Sequence, residues 1–191
     1  KVRDPIPDPK VDLDDLPVRQ DSDIVRVRDY IPDILVDLRY ATSDNFTQKT
    51  VYEFTDLYLR YGTVVKLMQA QQELRTQGVR LKVWDGFRPV SAQNDLWAAY
   101  PNPVYVENPE AGYSHHSYGG SIDVTLVDVQ GYELTMPSKF DDFTSKADRD
   151  FSDCTELAAQ NATLLQTVME KYGFVADEKE WWHFTDENEF P

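Results

Sequence analysis

GTVVKLMQAQQELRTQGVRLKVW, residues 62–84, changes its hydrophobic rhythm once, and that change decides the fold. In its first part Val64, Val65, Leu67, Met68, Gln71, Leu74 and Arg75 mark a repeat of three and four residues, which predicts a helix over 62–77. Gly78 stands where a helix C-terminal glycine belongs. Beyond it Val79, Leu81 and Val83 alternate with Arg80, Lys82 and Trp84, the two-residue period of a half-buried strand.

Working outward, Asp85-Gly86 and Pro89 break the strand, and Ser91 is placed to cap a short helix through Tyr100. Residues 101–112, PNPVYVENPEAG, read as a loop. A strand is expected over Ser121 to Val127, a turn over Asp128 to Gly131, and a last strand near 181–185. A second long helix covers 155–172, with Leu157, Asn161, Leu164, Leu165, Val168, Met169 and Tyr172 on one face and Gly173 closing it. Upstream, Ile24, Val25 and Val27 suggest a strand, and ILVDLRY at 34–40 another extended segment. Helices and short strands mix without a βαβ rhythm. That argues an α+β fold, one compact domain with a central antiparallel sheet flanked by helices.

The chain has 191 residues, enough for one domain with a core that needs no staples. Its 19 basic and 34 acidic residues give a net charge of −15, which repels nucleic acid, and no basic stripe offsets it. No run approaches the roughly 20 apolar residues of a membrane-spanning helix. The one cysteine, Cys154, excludes an internal disulfide and reads as a tolerated free thiol. Residues 1–23, with Pro5, Pro7, Pro9 and Pro17 among Asp12, Asp14, Asp15, Asp21 and Asp23, read as an extended acidic arm ahead of a catalytic domain at 24–191. Because residue 1 is Lys, one reading is an upstream signal peptide or lipid anchor removed on export to the cell envelope. The other is a trimmed cytoplasmic protein.

All three histidines fall in two motifs, Ser114-His115-His116-Ser117-Tyr118-Gly119-Gly120-Ser121-Ile122-Asp123 and Glu180-Trp181-Trp182-His183. A catalytic zinc takes three protein ligands, from imidazole and carboxylate, and keeps one position open. His116, Asp123 and His183 supply that set, with Gly119 and Gly120 turning the chain between the first two. Histidines satisfied in the core or at the surface remain the competing reading. His115 and His116 point in different directions from an extended backbone, so both are not expected on one ion. Glu180 precedes His183 by three, which places the two on opposite faces of a regular strand. If Glu180 instead lies in the turn with Asp177-Glu178-Lys179, it serves as a general base; otherwise it is a surface glutamate. Trp181 and Trp182 read as core or as substrate wall. Arg88, just past a strand break, suits the negative charge that develops on an amide carbonyl, or a salt bridge.

The motifs together resemble the D-alanyl-D-alanine dipeptidases, including those of vancomycin resistance, within the zinc peptidases that also hold D,D-carboxypeptidases. The resemblance runs from about Val36 to the end. It is carried by Asp37-Leu38-Arg39-Tyr40-Ala41-Thr42 with Asp44-Asn45-Phe46-Thr47, by Asp85-Gly86-Phe87-Arg88-Pro89, and by Ser114, His116, Gly119, Asp123, Thr125 and Leu126. Phe140-Asp141 with Phe143, and Glu180-Trp181-Trp182-His183, complete it. The resemblance implies one zinc ion per chain on His116, Asp123 and His183, Glu180 as catalytic base and Arg88 as the transition-state arginine. It also implies that Asp141 holds the amino group of a small D-amino-acid dipeptide, with Ser114 and Tyr40 lining the pocket. Tyr118 stands where relatives often carry Arg, and Ser121 where Ala is usual. Two rivals remain, a D,D-carboxypeptidase acting on peptidoglycan stems and a non-catalytic metal- or peptide-binding module. Asp141 and the 101–112 loop favour a closed dipeptide pocket over the first, and Glu180 argues against the second.

Overall fold

The computed structural model describes residues 3–9, 17, 19–188 and 190. The middle of the N-terminal arm, with Asp12, Asp14 and Asp15, lies outside the described residues.

The helix–glycine–strand stretch folds as its rhythm predicts. Helix α1 spans Tyr61–Thr76 and strand β4 spans Val79–Asp85. Gly78 between them takes φ 73°, in the left-handed region where a side chain would be strained. Helix α1 buries Thr63, Val64, Leu67, Ala70, Gln71 and Leu74. Gln71 is polar yet fully buried because its amide has two partners. It donates to Asp33 Oδ2 at 2.9 Å and accepts from the Leu81 N–H at 2.8 Å, which ties α1 to β4.

The main sheet has the order β2-β4-β5-β7-β6, with β2 at Leu35–Val36, β5 at Ser121–Asp128, β6 at Phe174–Ala176 and β7 at His183–Asp186. Its pairs are antiparallel except for two-residue β2, which runs parallel to β4. A small second sheet pairs β1, Ile24–Arg26, with β3, Tyr58–Arg60. Strand β5 is buried along nearly its whole length because both faces are covered. Ile122, Val124 and Leu126 join the core with Leu165 and Val168 of α3, Glu156–Lys171. Ser121, Asp123 and Thr125 face the other way.

Three local expectations change. Ser91 lies inside α2, Val90–Ala99, whose N-cap position is Pro89, so the serine caps nothing. Leu157 is exposed rather than core-facing, because α3 turns Ala158, Ala162, Leu165, Val168 and Met169 inward. The 34–40 segment keeps only β2 as strand and turns at Arg39–Ala41. At the N-terminus, the Ile6 N–H donates to the Val129 carbonyl at 2.7 Å, and Arg80 donates to Asp8 at 2.6 Å. Residues 3–9 therefore lie by the 128–132 turn, at the opposite end of β4 and β5 from Asp85 and Asp123.

Candidate active site

Across the sheet, Asp85 of β4 pairs with Asp123 of β5, and Asp123 with His183 of β7. Three acidic or imidazole side chains thus line up at one end of the central strands. His116 joins them from the loop before β5. That loop folds back at Gly119, φ 78°, where a Cβ would meet Ile24 Cδ1 at 2.8 Å. His116 Nδ1 lies 2.8 Å from the Gly86 carbonyl. Gly86 has no room for a side chain there, since a Cβ would come within 2.4 Å of Leu57 Cδ1.

A carbonyl only accepts, so His116 Nδ1 carries a proton, and in the neutral imidazole that binds a metal Nε2 faces the site as a lone pair. His183 Nε2 lies 3.2 Å from Thr185 Oγ1, whose hydroxyl is 2.8 Å from Ser121 Oγ. With that nitrogen as donor, His183 Nδ1 is also bare. His116 Nε2 is 3.2 Å from His183 Nδ1 and 3.5 Å from Asp123 Oδ1, and His183 Nδ1 is 2.9 Å from Asp123 Oδ1. Three acceptors this close repel one another unless a cation lies among them. A tetrahedral ion with bonds of about 2.0–2.1 Å needs ligand atoms about 3.3 Å apart, close to what the trio offers. The residues fit a zinc ion. Burial works against the Asp123 charge, but positive charge at the neighbouring imidazoles, standing where an ion would, holds the carboxyl well below the usual carboxylate range.

The trio opens into a cavity of about 110 Å³, against about 300–1,000 Å³ for drug-sized ligands. Tyr40, Arg88, Asp141, Glu180 and Trp182 also line it, and Tyr105, Val106 and Glu107 of the 101–112 loop close it. Glu180 lies in the turn before β7, as its offset from His183 requires. Burial, opposed by His183 and reinforced by Asp123, Asp141 and Asp177, pushes its carboxyl up to about 8. Asp141 sits at φ 56°, a left-handed backbone uncommon outside glycine, and its Oδ2 accepts from the Tyr40 hydroxyl at 2.9 Å. Burial and then Asp123 push Asp141 up to about 8, against the pull of Tyr40 and Arg88.

Arg88 is buried, and the salt-bridge reading of it holds. Its Nε and Nη2 donate to Asp85 Oδ2 at 3.0 and 2.6 Å, and its Nη1 donates to Gln93 Oε1 at 2.7 Å. Arg88 lines the cavity as well, so the ion pair fixes a guanidinium that faces the pocket. Asp85 also accepts from the Tyr52 hydroxyl at 2.6 Å, and Gln93 Nε2 donates to the Glu107 carbonyl at 2.7 Å. Asp85 and Gln93 lie near Arg88 in the sequence, but no periodic pattern marks them as its partners, and Tyr52 reaches Asp85 only through the fold.

Ser114 does not line the cavity. Its hydroxyl accepts from the His116 N–H at 3.2 Å, which shapes the ligand loop. His115 is exposed and borders a groove outside, together with Tyr118. Ser121 belongs to the hydroxyl pair behind His183. Trp181 is core, and Trp182 is both core and wall.

A family model described as D-ala-D-ala dipeptidase, among the peptidases, matches residues 20–190. The chain belongs to that family. Among its members, the D-alanyl-D-alanine dipeptidase of Escherichia coli is 34% identical over 163 residues, covering 85% of this chain and 84% of its own. The D-alanyl-D-alanine dipeptidase of Enterococcus faecium is 37% identical over 168 residues, covering 78% and 83%. A solved structure of the vancomycin resistance D,D-pentapeptidase VanY in complex with Zn(II) is 13% identical, at a TM-score of 0.47, covering 72% of this chain and 76% of that one.

Proposed function

We propose that this chain hydrolyses the D-alanyl-D-alanine dipeptide to two molecules of free D-alanine, with one zinc ion held by His116, Asp123 and His183. The observation that carries the reading is the convergence of three bare acceptor atoms at the floor of a small cavity. That cavity also holds one carboxyl suited to proton transfer and another suited to an ammonium group.

When bound, zinc supplies Lewis acidity to a carbonyl oxygen and acidity to a water molecule. Glu180 takes the proton of the attacking water at its carboxylate and later gives it to the leaving amine nitrogen. A carboxyl pushed toward neutrality suits both halves of that exchange. Arg88, locked by Asp85 and Gln93, presents fixed positive charge where the carbonyl oxygen becomes negative. Asp141 binds the substrate ammonium. Burial makes its charge costly until that cation arrives, and the Tyr40 hydroxyl holds its orientation. Phe46, Val106, Phe143 and Trp182 keep bulk water out and leave room for small side chains.

The test is alanine release by the zinc-loaded protein from D-Ala-D-Ala, N-acetyl-D-Ala-D-Ala and L-Ala-L-Ala, the last expected to be left intact. The free D,D-dipeptide should be cleaved. The acetylated one should be at least about 10–100-fold slower in kcat/KM, the loss expected for one charge-assisted bond. Equal rates on the first two would replace the dipeptidase reading with a carboxypeptidase one.

A further inference from the structure

Residues 177–183 carry both Glu180 and His183, yet they form neither helix nor strand before His183. The Asp177 N–H donates to the His183 carbonyl at 3.1 Å, which closes the segment into a loop. The Asp177 carboxylate caps the N–H groups of Lys179 and Glu180 at 2.7 and 3.2 Å. Arg149, from the stretch between β5 and α3, reaches into this loop. Its Nε donates to the Asp177 carbonyl at 2.5 Å, and its Nη2 donates to the carbonyls of Glu180 and His183 at 3.2 and 3.1 Å. Its own N–H donates to the Glu178 carbonyl at 3.1 Å, and its guanidinium stacks 4.7 Å over the Phe184 ring.

The arrangement is unusual for an arginine in so acidic a chain. Among the described residues, Arg149 makes no ion pair with any carboxylate; Nη1 donates to Gln166 Oε1 at 3.4 Å, and its other side-chain donors go to main-chain carbonyls of one short segment. A planar fork reaches several carbonyls at once, whereas the single ammonium of a lysine cannot. Arg149 does not line the cavity, so it acts only through the groups that it holds.

We propose that Arg149 is a positioning residue for the hydrolysis: by binding the carbonyls of Asp177, Glu180 and His183 together, it sets the base and the second imidazole at their working separation. The inference rests on the assignment of Glu180 as base and His183 as ligand. Asp141, Tyr40 and Arg88 lie on other segments, so substrate affinity should be spared.

The experiment compares wild type, Arg149→Lys and Arg149→Ala as full chains, by kcat and KM on D-Ala-D-Ala and by zinc affinity against a competing chelator. Arg149→Lys should lose about 10–100-fold in kcat and weaken zinc binding by a comparable factor, the range for a group that orients ligands. KM should stay within about twofold, because the substrate-binding groups are untouched. Guanidinium chloride at tens of millimolar should restore part of the Arg149→Ala rate, and equal sodium chloride should not. If Arg149→Ala does not fold, Arg149→Lys carries the test alone. Wild-type kcat and zinc affinity in Arg149→Lys would overturn the inference. So would a kcat loss that vanishes on cooling to where both proteins are fully folded, since that is stability alone. A wild-type protein inactive on D-Ala-D-Ala would instead defeat the functional reading, and zinc affinity would still decide the role of Arg149.

Discussion

Arg88 shows how two readings of one residue need not exclude each other. Its ion pair with Asp85 and its place on the cavity wall are the same arrangement seen from two sides. Arg88→Ala should therefore lower kcat by about 10²–10³, the cost of one strong donor to a developing oxyanion. It should also lower the melting temperature, because Asp85 is left buried without its cation. A rate change below tenfold with the same stability loss would leave only the structural role. Glu180→Ala separates base from ligand: turnover should vanish while zinc content stays near one per chain, read by metal analysis of the purified protein. The trio His116, Asp123 and His183 was legible because imidazoles are rare in this chain and their chemistry is narrow. Gln93, Tyr52 and Arg149 were not, since a glutamine, a tyrosine or an arginine declares its partner only once the chain has folded.

At the scale of elements, α1, β4, β5 and α3 were readable because each is long enough for its hydrophobic period to repeat. Strands β3 and β6, three residues each, and two-residue β2 hold less than two periods, so pairing alone defines them. The tie between α1 and the loop before β2 was equally silent. Asp33 accepts from Arg75 Nε at 2.8 Å and from Gln71, with Arg75 Nη2 at 2.5 Å. Burial pushes the Asp33 carboxyl up, but Arg75 and Gln71 more than offset it, so its pKa lies below the ordinary value. A depressed carboxylate contributes stability above the unfolded pKa of about 3.9, and that contribution disappears as pH falls through the lower folded value. Asp33→Asn should cost about 3 kcal/mol at pH 7, the low end for a broken buried pair because Arg75 keeps some solvent contact. Urea unfolding of both proteins should show that difference shrinking below about pH 4. A difference independent of pH would mean that hydrogen bonding, not charge, ties the helix down.

For the whole molecule, the decisive feature is that the ligand set spans the sheet. His116 precedes β5, Asp123 lies within it, and His183 opens β7, so one ion would join segments far apart in sequence. Without a cation, three bare acceptors within 3.5 Å of one another oppose the closure that the fold imposes. Zinc bound to the native state alone adds RT ln(1 + [Zn]/Kd) to its stability, about 2.7 kcal/mol at a hundredfold excess over Kd. For a domain of this size each kcal/mol is worth about 2–4 °C, so zinc at that excess should raise the melting temperature by about 5–10 °C. Calorimetry with zinc and with chelator checks this directly. The control is His183→Ala, which keeps the fold's apolar core but lacks the third ligand, so its melting should respond far less to chelator. If both proteins respond equally, zinc stabilises the chain from somewhere other than the end of the central strands. If neither responds while zinc remains bound, native and unfolded chains hold the ion equally well and the preorganised trio contributes nothing to the fold.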